Sequence, residues 1–155
     1  MKIETKTYQP QIAAAIKKTA VNMSDLPALC GEAYGKLEAY LSEKGKKLAG
    51  APYCMYMNCN EDYTVSDVEL GFPIDEPLPE SGEIVMSKTY GGKALVATHK
   101  GAYCEVEKAY DALMKYAEEN AIETAEECYD YYLNCPGSTP ESELLTEVLF
   151  PIKGA

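Results

Sequence analysis

Apolar residues recur at helical spacing in two parts of the chain, and each part predicts one amphipathic helix. The first predicted helix covers Leu26–Lys44, and Gly45 after it is a suitable stop. The second covers Tyr103–Asn120. We interpret both apolar stripes as faces that pack on a core, because this is the usual role of such a stripe. The stripes consist of Cys30, Tyr34, Leu37 and Leu41 in the first helix and of Tyr103, Val106, Tyr110, Leu113 and Ala117 in the second.

The segment that contains the first helix recurs 76 residues later. Ala33–Cys59 aligns with Ala109–Cys135 without a gap, and ten of the 27 aligned residues are identical. The repeat predicts that the chain contains two copies of one supersecondary unit.

Segments with strand character flank both predicted helices. Ile12–Ile16 is rich in Ala and taken alone could begin a helix, but its equivalence to Ala94–Thr98 in the repeat favours a strand. Each copy is therefore expected to run strand, helix, strand, strand, with further strand material before it. The other predicted strands are Tyr53–Asn58 and Val65–Ile74 in the first copy, Tyr129–Asn134 and Leu144–Ile152 in the second, and the leading segments Ile3–Tyr8 and Ile84–Tyr90.

Proline residues mark the predicted boundary between the copies. Pro73, Pro77 and Pro79 lie close together, and proline lacks the N–H that a central strand needs. We expect a single domain over residues 1–155, with halves of about 1–75 and 83–155 and a linker at 73–82. The chain length of 155 residues suits one domain or a tight pair of subdomains.

Charge and hydropathy limit the possible partners. The chain has 14 basic and 25 acidic residues and a formal net charge of -11, and its only group of three closely spaced basic residues is Lys44, Lys46 and Lys47. Such a surface repels a phosphate backbone on average, so we expect no direct nucleic-acid binding. No segment has the apolar length of a signal peptide or a membrane span, so we expect a cytoplasmic protein without membrane contact.

The cysteine and histidine pattern offers little to a metal or cofactor. The six cysteines form no C-x-x-C pair, and His99 is the only histidine. We expect six reduced, mostly buried thiols, no metal and no cofactor. His99 precedes Gly101 at a predicted strand-to-helix turn, where its ring can bond backbone groups. No G-x-S-x-G or P-loop signature occurs, and we assign no catalytic residue.

Several short motifs, in their order along the chain, resemble the GyrI-like, or bacterial transcription-activator effector-binding, family. The family pattern D-x-E-x-G-x-P is present at Asp67–Pro73, and its H-x-G-x-Y turn at His99–Tyr103. Its E-x-Y strand near a proline corresponds to the segment before Pro136, and its final proline to Pro151. The resemblance lies in the order and spacing of these pieces over nearly the whole chain. The sequence departs from the family in having Asp130 at the acidic position of the E-x-Y strand and in lacking Trp.

This resemblance implies an α+β fold of two βαββ (SH2-like) halves with pseudo-two-fold symmetry and a ligand cleft between them. Strand alternation can place Asp130 on one face of its strand, with Tyr129 and Tyr131 turned toward the helix. The repeat places Tyr56 on the equivalent face of the first half. The predicted ligand-binding residues are Asp130, Glu69, Tyr132, Tyr56, Phe72 and Tyr8.

A carboxylate among tyrosines favours cationic ligands, because an isolated buried charge is costly and aromatic faces attract cations. We therefore expect a stand-alone protein that captures or senses lipophilic or aromatic, mainly cationic, compounds. In the alternative, Asp130 only accepts a hydrogen bond from a tyrosine, and Glu69 is solvated at an edge. Two other functions stay open: a hydrolase of strained-ring electrophilic toxins with a carboxylate base, and a protein that modulates a transcription regulator or gyrase.

Overall fold

The computed structural model of the chain describes residues 2–46, 49–62, 64–102, 105–134 and 138–153. These residues form eight β-strands and two α-helices, which confirms the predicted α+β class. In chain order the elements are β1 (Ile3–Tyr8), β2 (Ile12–Asn22), α1 (Leu26–Glu43), β3 (Tyr53–Met57), β4 (Val65–Pro73), β5 (Ile84–Lys88), β6 (Gly92–Lys100), α2 (Glu107–Glu119), β7 (Cys128–Tyr132) and β8 (Leu145–Pro151).

Residues Pro10–Tyr90 form one of two compact units and are called unit 2. The four strands of unit 2 form an antiparallel sheet in the order β3-β4-β2-β5. β2 continues well beyond the predicted Ile12–Ile16 through a register shift between Lys18 and Val21. At this shift Ala20 has a φ of 50°, and its N–H donates to the Asp67 carboxylate at 2.8 Å. The bulge keeps the polar second half of β2 paired with β4 after the apolar pattern has ended.

Unit 1 consists of Met1–Gln9 and Gly91–Ala155. Its sheet is also antiparallel, in the order β7-β8-β6-β1. β1 precedes β2 in the chain but pairs with β6, and β5 precedes β6 but pairs with β2. Each unit therefore combines a strand-helix-strand-strand run with an edge strand from outside that run.

Each helix packs its apolar stripe on the sheet of its own unit. In unit 1, Leu113 of α2 forms a buried cluster with Leu95 and Phe150 of the sheet. In unit 2, Leu37 of α1 is fully buried, and the helix ends before Gly45, which has a φ of 67°. Burying one such aliphatic side chain contributes about 1.5–3 kcal/mol, so these stripes anchor the helices. None of the described helices combines the length and the apolar character that crossing a membrane requires.

The predicted elements agree closely with the observed ones, whereas the grouping of residues differs. α2 begins at Glu107 rather than at Tyr103, which lies outside the described residues. Residues 73–82, predicted to be a linker, belong to unit 2, where the Tyr40 hydroxyl donates to the Pro79 carbonyl. The unit boundaries differ from the predicted halves because strand pairing, rather than proline content, decides which residues contact each other.

Candidate functional site

The two faces of the unit 2 sheet have different neighbours. The helix covers one face, where the ring of Tyr34 on α1 packs on Phe72 of β4 with 5.2 Å between ring centroids. Side chains alternate between the faces of a strand, so Glu69 and Gly71 lie on the opposite face of β4. The register places Tyr53 of β3 opposite Gly71, on that same face. This helix-free face contains a polar cluster around Glu69.

A buried carboxylate lies on the helix-free face of unit 2, in what we call the Glu69 cluster. Glu69 is 5% exposed, and its Oε2 accepts hydrogen bonds from the Tyr53 hydroxyl at 2.5 Å and from the Ser87 hydroxyl at 2.9 Å. The ammonium of Lys17 lies 3.7 Å from Oε1, and its side chain is 62% exposed. The two hydroxyls offset part of the cost of burying the charge.

Small residues make room for this arrangement. A Cβ at Gly71 would come within 2.7 Å of the Tyr53 hydroxyl oxygen, so only glycine lets the tyrosine ring lie across β4. The register places Ala15 of β2 beside Gly71, on the same face and fully buried. With short side chains between them, Ser87 of β5 can reach Glu69 of β4 across the intervening strand.

An open groove lies at the β5 edge of unit 2, on the face that α1 covers, because the register places Met86 beside Ala14 and Ala14 beside Phe72. Its volume is about 530 Å³, and it is lined by Ile12, Pro77 and Met86 together with Ser87 and the cationic Lys88. Ser87 lines this groove and also donates to Glu69. A volume of this size falls in the range of about 300–1,000 Å³ that small-molecule sites occupy. The groove and the Glu69 carboxylate therefore lie on opposite faces of the sheet, and Ser87 is a residue that they share.

Unit 1 contains a corresponding carboxylate, Glu147 of β8, in what we call the Glu147 cluster. The Tyr8 hydroxyl donates to Oε1 of Glu147, and the Lys6 ammonium lies 3.7 Å from Oε2. The Tyr8 ring stacks on Tyr131 of β7, with centroids 6.3 Å apart and ring planes at 6°. Burial and the bond to Glu147 raise the pKa of Tyr8 well above its usual value, so this phenol stays protonated and donates.

The strand registers make the two carboxylates equivalent. Glu69 lies opposite Met55 of β3, and Glu147 lies opposite Tyr131 of β7, which is 76 residues after Met55. Both belong to the same short motif, E-x-x-F-P, which occurs at Glu69–Pro73 and again at Glu147–Pro151. This repeated motif is the signal in the sequence that identifies Glu147, which our sequence analysis missed together with Tyr53, Ser87 and Tyr131.

The predicted orientation of β7 is wrong. Cys128 packs on the unit 1 core that contains α2, and the Asp130 carboxylate accepts a hydrogen bond from Tyr110 of α2. Burial and the Asp130 charge raise the pKa of Tyr110 well above its usual value. Tyr131 belongs instead to the stack with Tyr8. Alternation offers two phases, and tyrosines on both faces of β7 leave nothing in the sequence to choose between them.

The predicted site residues are divided between the two units and between the two faces of each sheet. Glu69 lies in the cluster of unit 2, and Tyr8 lies with Glu147 in unit 1. Phe72 lies on the face covered by α1, and Tyr56 shares that face by alternation from Val68, its register partner. Tyr132 lies opposite Thr146, on the face of β7 that also carries Asp130.

Histidine and cysteine residues fit structural roles in the described part of the chain. Nε2 of His99 lies 3.0 Å from the Ala102 carbonyl oxygen, beside Gly101 with a φ of 129°, which confirms the predicted turn contact. Cys30, Cys54, Cys59 and Cys128 are not joined in disulfides, while Cys104 and Cys135 lie outside the described residues. Within the ranges that the structure describes, no group of His, Cys, Asp and Glu is arranged to hold a metal ion.

A family model and solved structures match this chain over almost its whole length. The model of the GyrI-like family, a GyrI-like small molecule binding domain, matches residues 1–153. A comparison with curated proteins finds no match. The EcmrR C-terminal domain is similar with a TM-score of 0.84 and 19% identity, over 99% of this chain and 98% of that chain. In the EcmrR–DNA complex the similarity has a TM-score of 0.80 and 19% identity, over 99% of this chain but only 58% of the EcmrR chain.

Two further similar structures have informative ligands or names. SAV2435 bound to tetraphenylphosphonium has a TM-score of 0.72 and 14% identity, over 99% of this chain and 95% of that chain. A hydrolase encoded by lin2189 from Listeria innocua has a TM-score of 0.66 and 12% identity, over 98% of this chain and 92% of that chain. At such identities these structures establish a shared fold.

Proposed function

The chain belongs to the GyrI-like small-molecule-binding domain family, and we propose that it captures or senses lipophilic or aromatic cations. The observation that carries this proposal is the buried Glu69 carboxylate, which two hydroxyls hold in place on the helix-free face of unit 2. A fixed negative charge in such surroundings attracts a cation strongly, because little water screens it.

The hydroxyls of Tyr53 and Ser87 both donate to Oε2 of Glu69, which leaves Oε1 facing the exposed Lys17. In our proposal, Oε1 is the atom that faces the positive centre of the ligand.

The tyrosine stack of unit 1 supports the same chemical preference. Tyr8 and Tyr131 present aromatic surface next to the Glu147 carboxylate, whose side chain is 13% exposed. A cation over a tyrosine face gains about 0.5–2 kcal/mol. Both units therefore place a carboxylate with a tyrosine hydroxyl donor on the same register position, and we propose both as ligand contacts.

The remaining predicted contacts are proposals of lower rank. Asp130 accepts its hydrogen bond from Tyr110 of α2, on the face that the helix covers, so we propose Glu69 on the helix-free face as the leading acid. Roles for Tyr56, Tyr132 and Phe72 in ligand binding stay predictions from the sequence.

Calorimetric titration tests the proposal with tetraphenylphosphonium, the ligand seen in the similar SAV2435 structure, and with neutral triphenylphosphine oxide. We expect tetraphenylphosphonium to bind more tightly than the oxide and to raise the unfolding midpoint, because a ligand that binds the native state stabilises it. Equal binding of the two compounds would remove the cation preference, and binding of neither would reject the proposed ligand class.

A hydrolase is the second candidate, because Tyr53 and Glu69 form a hydrogen-bonded donor and acceptor 2.5 Å apart. The carboxylate would position water as a general base, and the phenol would donate a proton to the opening ring of a strained electrophile. The hydrolase from Listeria innocua shares this fold. Catalytic turnover of a cyclopropane-bearing electrophile, rather than one equivalent captured per protein, would favour this candidate.

A partner protein that reads the ligand-bound state, such as a transcription regulator or gyrase, stays a prediction. EcmrR carries a domain of this fold in a chain that also binds DNA, and the present chain matches 58% of that EcmrR chain. The predicted cytoplasmic location likewise stays a prediction.

A further inference from the structure

The carboxylates of Glu69 and Glu147 each have an exposed lysine nearby. Lys17 lies 3.7 Å from Oε1 of Glu69, and Lys6 lies 3.7 Å from Oε2 of Glu147. In each case the tyrosine hydroxyl donates to the other carboxylate oxygen. The same arrangement of carboxylate, phenol and lysine therefore occurs twice. The two lysines lie on different strands, Lys6 on β1 and Lys17 on β2.

The distances and the exposure of the lysines indicate that each lysine is held only weakly in its ion pair. A separation of 3.7 Å exceeds a charge-assisted hydrogen bond of about 2.7–2.9 Å. The Lys17 side chain is 62% exposed, while that of Glu69 is 7% exposed. Exposed lysines gain little from such pairing, and they can move into water at small cost.

We propose that Lys17 is a resident counter-ion of Glu69, which a cationic ligand displaces when it binds. This inference rests on the proposed function and names the residue that limits affinity for cations at the site. In the ligand-free protein the Lys17 ammonium, which is exposed to solvent, partly neutralises the negative charge of Glu69. A ligand cation takes that place, and the ammonium moves into solvent on its flexible stem. Lys17 therefore lowers the affinity for every cation and leaves neutral ligands unaffected.

The adjacent Lys18 provides a matched control on the same strand. Its ammonium pairs with Glu83 at 2.5 Å, and Glu83 is also paired with Lys36. Alternation turns Lys18 toward the face opposite to Lys17. Lys17→Gln and Lys18→Gln change the net charge of the protein equally, so any difference between them is local to Glu69.

The experiment measures calorimetric affinities of wild type, Lys17→Gln and Lys18→Gln for tetraphenylphosphonium and for triphenylphosphine oxide. At about 0.15 M salt, charges more than about 8 Å apart are largely screened, which isolates the local effect. We expect Lys17→Gln to bind tetraphenylphosphonium at least about threefold more tightly than Lys18→Gln does, the scale of an exposed ion pair. Affinity for the neutral oxide should be the same in all three proteins.

A double-mutant cycle assigns the gain to Glu69. In a Glu69→Gln background, Lys17→Gln should have no effect on tetraphenylphosphonium binding, because the carboxylate that the lysine compensates is gone. An equal gain in Lys17→Gln and Lys18→Gln, a loss of affinity in Lys17→Gln, or a gain that persists without Glu69 would each overturn the counter-ion role while leaving the proposed function intact. Failure of the wild type and of all variants to bind either compound would instead reject the proposed function, and this inference with it.

Discussion

Glu69→Gln removes one charge from the centre of the candidate site while it keeps the shape of the side chain. The amide oxygen can still accept from Tyr53 and Ser87, which donate to the carboxylate at 2.5 and 2.9 Å. The amide nitrogen then faces Lys17 in place of the second carboxylate oxygen. The substitution therefore isolates the contribution of the charge to ligand binding.

The expected loss of affinity follows from Coulomb energy and from the lysine that the ligand displaces. A phosphonium centre about 6 Å from the carboxylate gains about 3 kcal/mol at an effective dielectric constant of about 20. Displacement of Lys17, a half-exposed ion pair, offsets up to about 1 kcal/mol of this gain. The net contribution is about 2 kcal/mol, so the dissociation constant of tetraphenylphosphonium should rise about 30-fold in Glu69→Gln.

Calorimetry with the cationic and the neutral compound tests whether the charge of Glu69 accounts for the loss of affinity. Binding of triphenylphosphine oxide should change less than about twofold, because a neutral ligand gains nothing from the lost charge. Glu83→Gln is the control, since Glu83 is exposed, pairs with Lys18 and Lys36, and alters the net charge by the same amount. If Glu69→Gln weakened both compounds equally, Glu69 would be a scaffold for the two hydroxyls and the charge argument would fail.

Three other predictions concern stability and cysteine chemistry. Gly71→Ala places a Cβ within 2.7 Å of the Tyr53 hydroxyl oxygen and should lower the free energy of unfolding in urea by about 1–3 kcal/mol; Gly31→Ala, where a Cβ meets nothing within 4 Å, should not lower it. The raised pKa values of Tyr8 and Tyr110 mean that their stabilisation is fully present below the unfolded tyrosine pKa of about 10 and is lost as pH rises further. The urea midpoint should therefore fall as pH rises above about 10, and less steeply in Tyr110→Phe; an equally steep fall would contradict this linkage. Thiol titration of the denatured protein without reductant should find all six cysteines free, and four or fewer would indicate disulfides.

Local patterns in the sequence were sufficient to predict most strands and helices. Helical spacing identified α1 and α2, and equivalence in the repeat identified Ile12–Ile16 as a strand although its alanines favour a helix. The motif E-x-x-F-P also encodes the equivalence of Glu69 and Glu147, because its phenylalanine and glutamate point to opposite faces of one strand.

Pairing partners and side-chain direction could not be predicted from the same patterns. An alternating segment such as Ile3–Tyr8 is recognisable as a strand, but its sequence does not show that it pairs with β6 rather than with β2. Asp130 illustrates the second difficulty. Its hydrogen-bond partner Tyr110 belongs to the apolar stripe that was predicted for the second helix. The sequence does not show that the Tyr110 hydroxyl donates to the Asp130 carboxylate.

The division of unit 1 into two separate chain segments has a consequence for biosynthesis. β1 leaves the ribosome first, but its partner β6 begins only at Gly92, after the whole of unit 2. At about 5–20 residues per second, roughly 4–17 s pass between the synthesis of β1 and the start of its partner strand. The charged side chains of Glu4 and Lys6 oppose association of β1 with other nascent chains before β6 is available. Unit 2, by contrast, is contiguous and can fold as soon as Tyr90 has emerged.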